Sequence, residues 1–247
     1  MSSVFVGFTA GGLHALTGPD HLAALIPSCI GQHWTVAGLV GARWGLGHGL
    51  GAVMFGFLGF LVKGFFDVSA LSSLMETAVG FSLVFIGMLG FREAFVWKNQ
   101  AQVLPSYEFP KDDESKLAKR MKADHQPRLN STATISMGIL HGFTGTGHLV
   151  GVMPALTMPS AVTASLYLGG FCFGTLVAIA GFTSIIGEAS VKLSSSKGSS
   201  QRVQSKILSF LSFLSSSFAI ILGTIWIIQS LVLQDPNNQI EHQLHGT

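Results

Sequence analysis

Five histidines and one aspartate of this chain fall where water should not reach. His14, His21, His48, His141 and His148 lie inside stretches of apolar residues, and Asp20 adjoins His21. An ionisable side chain in such a stretch is costly to hold and marks a functional site by default. Imidazole and carboxylate together suit nickel, cobalt, manganese or zinc. Imidazole binds metal in its neutral form, so protons compete with the ion at such a site. One histidine of this kind can simply hydrogen-bond a nearby carbonyl. Five, with four of them in two matched pairs, point to a site.

The pairs belong to a duplication. Ala10–Pro27 (AGGLHALTGPDHLAALIP) and Met137–Pro154 (MGILHGFTGTGHLVGVMP) align without gaps at an offset of 127 residues. Eight of the eighteen positions are identical: Gly11/Gly138, Leu13/Leu140, His14/His141, Thr17/Thr144, Gly18/Gly145, His21/His148, Leu22/Leu149 and Pro27/Pro154. Gly47/Gly174 and Phe55/Phe182 carry the same offset into the next apolar stretch. Within each copy the histidines are seven residues apart. On a regular helix both would face one side, roughly 10 Å apart along the axis, too far to share an ion. Pro19 cannot donate a backbone hydrogen bond and disfavours helix before it. The Gly18-Pro19 pair therefore predicts a local unwinding that draws His14, Asp20 and His21 together. Gly142, Gly145 and Gly147 supply weak points in the second copy.

The elements that must carry these residues are membrane helices. The chain has 247 residues, 48% of them hydrophobic and 11% charged. A soluble domain of this size carries about a quarter charged residues. Six segments are long and apolar enough to span a bilayer: Val4–Ile30, Val36–Val62, Leu71–Trp97, Thr134–Met158, Ala161–Ile186 and Ile207–Leu233. Backbone groups in lipid must be satisfied internally, so the expected fold is all-α. The segments divide into a first three-helix repeat (1–98), a charged loop (99–130), a second three-helix repeat (131–234) and a polar tail (235–247). An odd number of spans per repeat makes the second copy enter from the opposite side, the inverted-repeat arrangement of many transporters. The Ser-rich stretch Glu188–Lys206 is expected to be a solvated connection.

Positive charge is lopsided. With the flanking Lys98, the connections after spans three and five carry Lys111, Lys116, Lys119, Arg120, Lys122, Arg128, Lys192, Lys197, Arg202 and Lys206, against Lys63 opposite. The positive-inside rule places these loops in the cytoplasm of a bacterium or the stroma of a plastid. The start, Met1-Ser2-Ser3, has neither the basic region of a secretory signal nor the arginines of a transit peptide. A net charge of +2 is too small for a nucleic-acid partner.

Other residues are less telling. His48 lies in Arg43-Trp44-Gly45-Leu46-Gly47-His48-Gly49, whose small residues permit close helix packing. Arg43 is a candidate partner for Asp20 or for an anion, or it snorkels to the interface. Glu76, Arg92 and Glu93 sit near span ends; His33, His125, His242 and His245 are loop or tail residues. Cys29 and Cys172 form no CxxC motif and read as small hydrophobes. Trp34, Trp97 and Trp226 fit an interfacial belt or bundle packing.

HALTGPDHLAAL, Gly-Leu-Gly-His48 and HGFTGTGHLVG together resemble the NicO/UreH-like branch of the nickel/cobalt transporter superfamily, including its compact plant plastid members. The resemblance covers nearly the whole chain. It implies passage of a divalent transition-metal ion (nickel, cobalt or manganese) through a site formed by His14, Asp20, His21 and His48, with His141 and His148 contributing. No resident cofactor is implied. The spacing from His14 to Asp20 is one residue longer than in the nickel permeases, and Gly147 replaces the aspartate in the second copy. Two other readings compete. One is a thiol electron carrier of the DsbD/CcdA kind, using Cys29 and Cys172. The other is a non-transporting subunit of a membrane complex, docking through the charged loop. A homo-oligomer is compatible with either. No nucleophile motif, phosphate loop or HExxH points to an enzyme.

Overall fold

The computed structural model of the chain describes residues 3–61, 68–103, 130–143, 151, 154–155, 157–195 and 201–233. Among them the chain is all-α. Seven helices are traced: α1 (Ser3–Thr17), α2 (Pro19–Cys29), α3 (Trp34–Leu61), α4 (Val68–Val103), α5 (Ser131–Gly142), α6 (Ala161–Ser194) and α7 (Gln201–Leu233). Within α4, α6 and α7, stretches of 29, 34 and 32 residues are long and apolar enough to cross a membrane. Leu13, Val162, Ile185 and Phe210 are each at least 65% exposed on the outer faces. Large apolar side chains presented outward this way are what a lipid environment favours.

The helix ends follow local chemistry. Asn130 caps α5, its side chain accepting from the Ala133 amide at 2.8 Å. Ser160 and Thr163 cap each other at the start of α6. Gly31 has φ +77°, a conformation that strains any residue with a Cβ, and it turns the chain from α2 into α3. Its amide donates to Ser190 Oγ at 2.9 Å, tying the turn to the C-terminal end of α6.

One expectation holds and one changes. The apolar stretch Val4–Ile30 is two helices, because Gly18 is extended (φ −71°, ψ 108°) and Pro19 starts a new helix at its first turn. The Ser-rich stretch from Glu188 to Lys206 is mostly helical, since α6 runs on to Ser194 and α7 begins at Gln201. Two of its serines satisfy themselves on the helix: Ser190 Oγ donates to the Gly187 carbonyl at 2.7 Å and Ser194 Oγ to that of Val191 at 2.9 Å. The later part of the expected span Thr134–Met158, with Gly145, Gly147 and His148, lies largely outside the described residues.

Glycines set the packing. A Cβ at Gly11 would overlap the Phe171 carbonyl, and one at Gly174 the Phe8 carbonyl, where α1 lies on α6. A Cβ at Gly138 would overlap the Trp44 carbonyl, and one at Gly47 that of Ile135, where α5 lies on α3. The second set of residues is the first shifted by 127: Gly11/Gly138, Phe171/Trp44, Gly174/Gly47 and Phe8/Ile135. The duplication in the sequence is thus repeated in the backbone contacts. Small residues let membrane helices approach this closely. The contacts advance together along α1 and α6, and along α5 and α3, so each of these pairs is parallel. Between α3 and α6 they run oppositely, from Gly41 on Thr183 to Gly49 on Cys172. The first helices of the two motif copies therefore point in opposite directions.

Short α2 sits between two apolar clusters. Ala23 and Ala24 pack with Val79, Leu83 and Ile86 of α4 and Ala219 of α7. Leu25 packs with Ala15, Trp44 and Ile179. Helices α4 and α7 are antiparallel, joined by a 2.7 Å Thr77–Ser230 hydroxyl hydrogen bond and by Ser209 Oγ donating to the Ala94 carbonyl at 2.8 Å.

Gly138→Val should destabilise the detergent-solubilised protein by roughly 1–3 kcal/mol or more, because the added carbons meet backbone that cannot retreat. Gly169→Ala, with nothing within 4 Å of the new Cβ, should stay within about 0.5 kcal/mol or gain slightly. Thermal melts of the two variants check this; equal melting temperatures would contradict the close-contact account.

Candidate metal centre

The break at Gly18-Pro19 does what the sequence predicts. The Gly18 amide donates to the His14 carbonyl at 3.1 Å, closing α1, and the chain then steps sideways into α2. His14 and His21 end with ring centroids 5.1 Å apart, where a continuous helix would set them roughly 10 Å apart. His21 also lies 4.7 Å from the ring of His48, near the middle of α3. One ring nitrogen from each of His14, His21 and His48 stands within 4.8 Å of the others. Nitrogens sharing one tetrahedral ion stand roughly 3.4 Å apart, given metal–nitrogen bonds of about 2.1 Å. Small rotations of the rings would therefore close the set on an ion. The three neutral imidazoles fit nickel, cobalt or zinc.

The neighbours of the cluster orient it. His21 Nδ1–H donates to the Ala15 carbonyl at 3.3 Å, since a carbonyl only accepts. That leaves Nε2 as the lone-pair nitrogen of His21, the arrangement by which metal-binding histidines are usually held. Asp20 Oδ2 lies 3.4 Å from this Nε2 and 3.5 Å from His141 Nδ1. A carboxylate oxygen facing two ring nitrogens calls for positive charge between them, which a proton or a metal cation provides. His141 is anchored from behind. Ser82 Oγ on α4 donates to the Val79 carbonyl at 2.7 Å, so its lone pair receives the Nε2–H of His141 at 3.0 Å.

Most of this is buried. His48 and His141 are fully buried, His21 nearly so, and Asp20 is 6% exposed. His14 alone is half-buried, which makes it the side of the cluster nearest the surface. Trp44 forms the wall: its indole stacks on His48 at 4.8 Å and 14°, and meets the edges of His21 and His141 at 5.3 Å. Phe171, its equivalent in the second copy, lies 5.6 Å from His14.

Of the sequence-selected residues, the structure gathers His14, His21 and His48 into one cluster, with Asp20 and His141 beside it. His148 lies outside the described residues. Arg43 is half-buried, and among the described residues the ionic neighbours of Asp20 are His21 and His141 rather than Arg43. His33 is exposed and meets Thr35 Oγ1 at 3.0 Å, as a loop residue would. Sequence reasoning missed Ser82, one serine among many, and Trp44. The signal for Trp44 was its position four residues before His48, one helical turn away.

Together, fold and site define an all-helical protein of membrane character built around a buried histidine cluster. No protein-family model matches the chain, and no solved structure matches it. It is 36% identical to Chloroplast protein FOR GROWTH AND FERTILITY 1 of Arabidopsis thaliana over 195 residues, 78% of this chain and 52% of that protein. It is likewise 36% identical to Chloroplast protein FOR GROWTH AND FERTILITY 2 of the same plant over 193 residues, 78% of this chain and 49% of that protein. The chain thus spans about half the length of these two relatives. Similarity extends to the urease accessory protein UreH of Bacillus sp. (strain TB-90), 27% identical over 192 residues, 76% of this chain and 77% of that protein.

A Cβ at Gly18 would stand 2.5 Å from His21 Nδ1. Gly18→Ala should therefore push the His21 ring out of the cluster and weaken cobalt or nickel binding by roughly 10–100-fold. Titration calorimetry on the purified protein checks this. Wild-type affinity in Gly18→Ala would show that His21 does not need its place.

Proposed function

We propose that this chain is a secondary carrier of a divalent transition-metal ion, nickel, cobalt or manganese, of the NicO/UreH-like kind. The ion is its cargo and not a resident cofactor. The observation that carries the reading is the convergence of three imidazoles from three separate helices, walled from lipid, with Asp20 alongside. A structural role needs no such concentration of ligand nitrogens, and the desolvation they suffer is justified by an ion that enters and leaves. The similarity to a urease accessory protein supports a metal-related role.

On this reading the protein has six spans in two inverted three-helix repeats, with α1 and α2 together forming the first span. The opposed directions of α1 and α5, and the contacts that recur at an offset of 127, support it. The turn at Gly31, the C-terminal ends of α4 and α6 and the start of α7 gather at one end of the bundle. Gly31 meets Trp97, Leu208 and Ser190 there. The two positively charged connections thus leave from the same end, and the positive-inside rule makes it the stromal or cytoplasmic one. The similarity to chloroplast proteins favours a plastid membrane. The ion reaches the cluster past half-buried His14, exchanges hydration for imidazole, and leaves when the two repeats rock to the other side.

The thiol-carrier reading loses ground on geometry. Neither cysteine forms a disulfide. The Cys29 backbone packs at Gly187 of α6, fifteen residues along the same helix from Cys172. That is roughly 22 Å at the helical rise.

Flux into proteoliposomes carrying a metal-sensitive dye tests the carrier. Wild type should move at least one of Ni²⁺, Co²⁺ and Mn²⁺, and His14→Ala with His21→Ala should lower the rate more than tenfold while the protein still elutes as a folded species. No wild-type flux under any ion or pH gradient would overturn the proposal.

A further inference from the structure

A second site lies at the bundle end where the charged connections emerge. A groove of about 490 Å³ runs between the C-terminal end of α4 and the N-terminal part of α7. Its outer end carries Lys98, Arg202 and Lys206; its inner end carries Phe210 and Phe213, with Ser209 between them. On α7 these residues form one stripe. Arg202 and Lys206 are a turn apart, Phe210 is the next turn, and Phe213 lies three residues on. Chemistry along the stripe changes from cationic to apolar over about two turns. The three cations are exposed, and among the described residues none of them makes an ion pair with a carboxylate. Both phenylalanines are more than half exposed, with the Phe213 ring 5.0 Å from that of Phe91.

Placement decides what such a groove takes. It sits where the apolar stretches Leu74–Gln102 and Gln201–Val232 both end, so its cationic end lies at headgroup depth and its aromatic end at acyl-chain depth. Three clustered positive charges need an anion, and exposed aromatic rings directly below need hydrocarbon. A free phosphate satisfies the first need and leaves the second unmet. A neutral lipid does the reverse. We infer that this groove is a binding site for one anionic diacyl lipid. Its phosphate or sulfonate headgroup is clasped by Lys98, Arg202 and Lys206, and an acyl chain lies over Phe210 and Phe213. Basic pockets between membrane helices on the cytoplasmic side recognise anionic headgroups in this way. The lipid joins α4 to α7, the pair that backs the histidine cluster through Ser82. The site is independent of the metal reading, since it uses none of the cluster residues.

Native mass spectrometry of the full chain tests it, after exchange into detergent containing dioleoyl phosphatidylglycerol, phosphatidylcholine or inorganic phosphate. Wild type should retain one phosphatidylglycerol and neither of the other two. Lys98→Gln/Arg202→Gln/Lys206→Gln should weaken that retention by roughly fivefold per cation, on the order of 100-fold together. Phe210→Gln/Phe213→Gln should weaken it with every cation in place. A control with the same change in charge elsewhere, Lys63→Gln/Arg92→Gln/Lys192→Gln, should retain the lipid. Equal retention of phosphatidylcholine, equal binding of inorganic phosphate, or equal loss in the control would each overturn the site. If the cation triple variant does not elute as a folded species, the phenylalanine variant and the three-ligand comparison on wild type decide the matter.

Discussion

A helix that breaks in apolar surroundings must find partners for the polar groups it frees, and the centre of this protein is organised around one such break. At Gly18 the backbone leaves α1 and Pro19 restarts it as α2. The Ala15 carbonyl, near the end of α1, is taken up by His21 Nδ1–H, a side chain from beyond the break. One hydrogen bond therefore satisfies the broken helix and fixes the tautomer of a candidate ligand. Lengthen α1 by a turn, and His21 would rotate away from His14 and His48 while the carbonyl lost its side-chain partner. The absence of a Cβ on Gly18 is what lets the ring lie against the break.

The scaffold around the break is built by glycine. Wherever α1 meets α6 and α5 meets α3, backbone touches backbone, so the helices cannot slide without collision. This rigidity helps to hold four histidines in register. It also explains the placement of the aromatic walls. Trp44 and Phe171 occupy equivalent positions, and each backs a histidine of the cluster. The symmetry is broken where chemistry begins. Asp20 has glycine as its counterpart, and His48 has Thr175, whose hydroxyl donates to the Gly11 carbonyl at 3.1 Å. The two halves are thus chemically unequal at these positions.

Around this core the outer faces carry Leu, Ile, Val and Phe. A buried cluster of imidazoles inside and an apolar surface outside are the two features that this arrangement combines.

Much of this was legible in the sequence. Helical character followed from apolar stretches with no other way to satisfy their backbone in lipid. The duplication, the break at Gly18-Pro19 and the histidine pairs followed from residue identities at fixed spacing. Each is a local property, and local sterics decide it. What only the tertiary structure decided is which residues share a site. His48 joins His14 and His21 because glycine contacts set the depth of α3 against its neighbours. His141 faces Asp20 rather than the cluster nitrogens because Ser82, from a helix far away in sequence, holds its other ring nitrogen. The serines of Glu188–Lys206 read as a solvated connection, yet Ser190 and Ser194 are helical, because their hydroxyls can donate to the helix's own carbonyls as readily as to water. Spacing along a chain fixes which face of a helix a residue occupies. Which face of another helix it meets depends on contacts between segments that the local pattern does not encode.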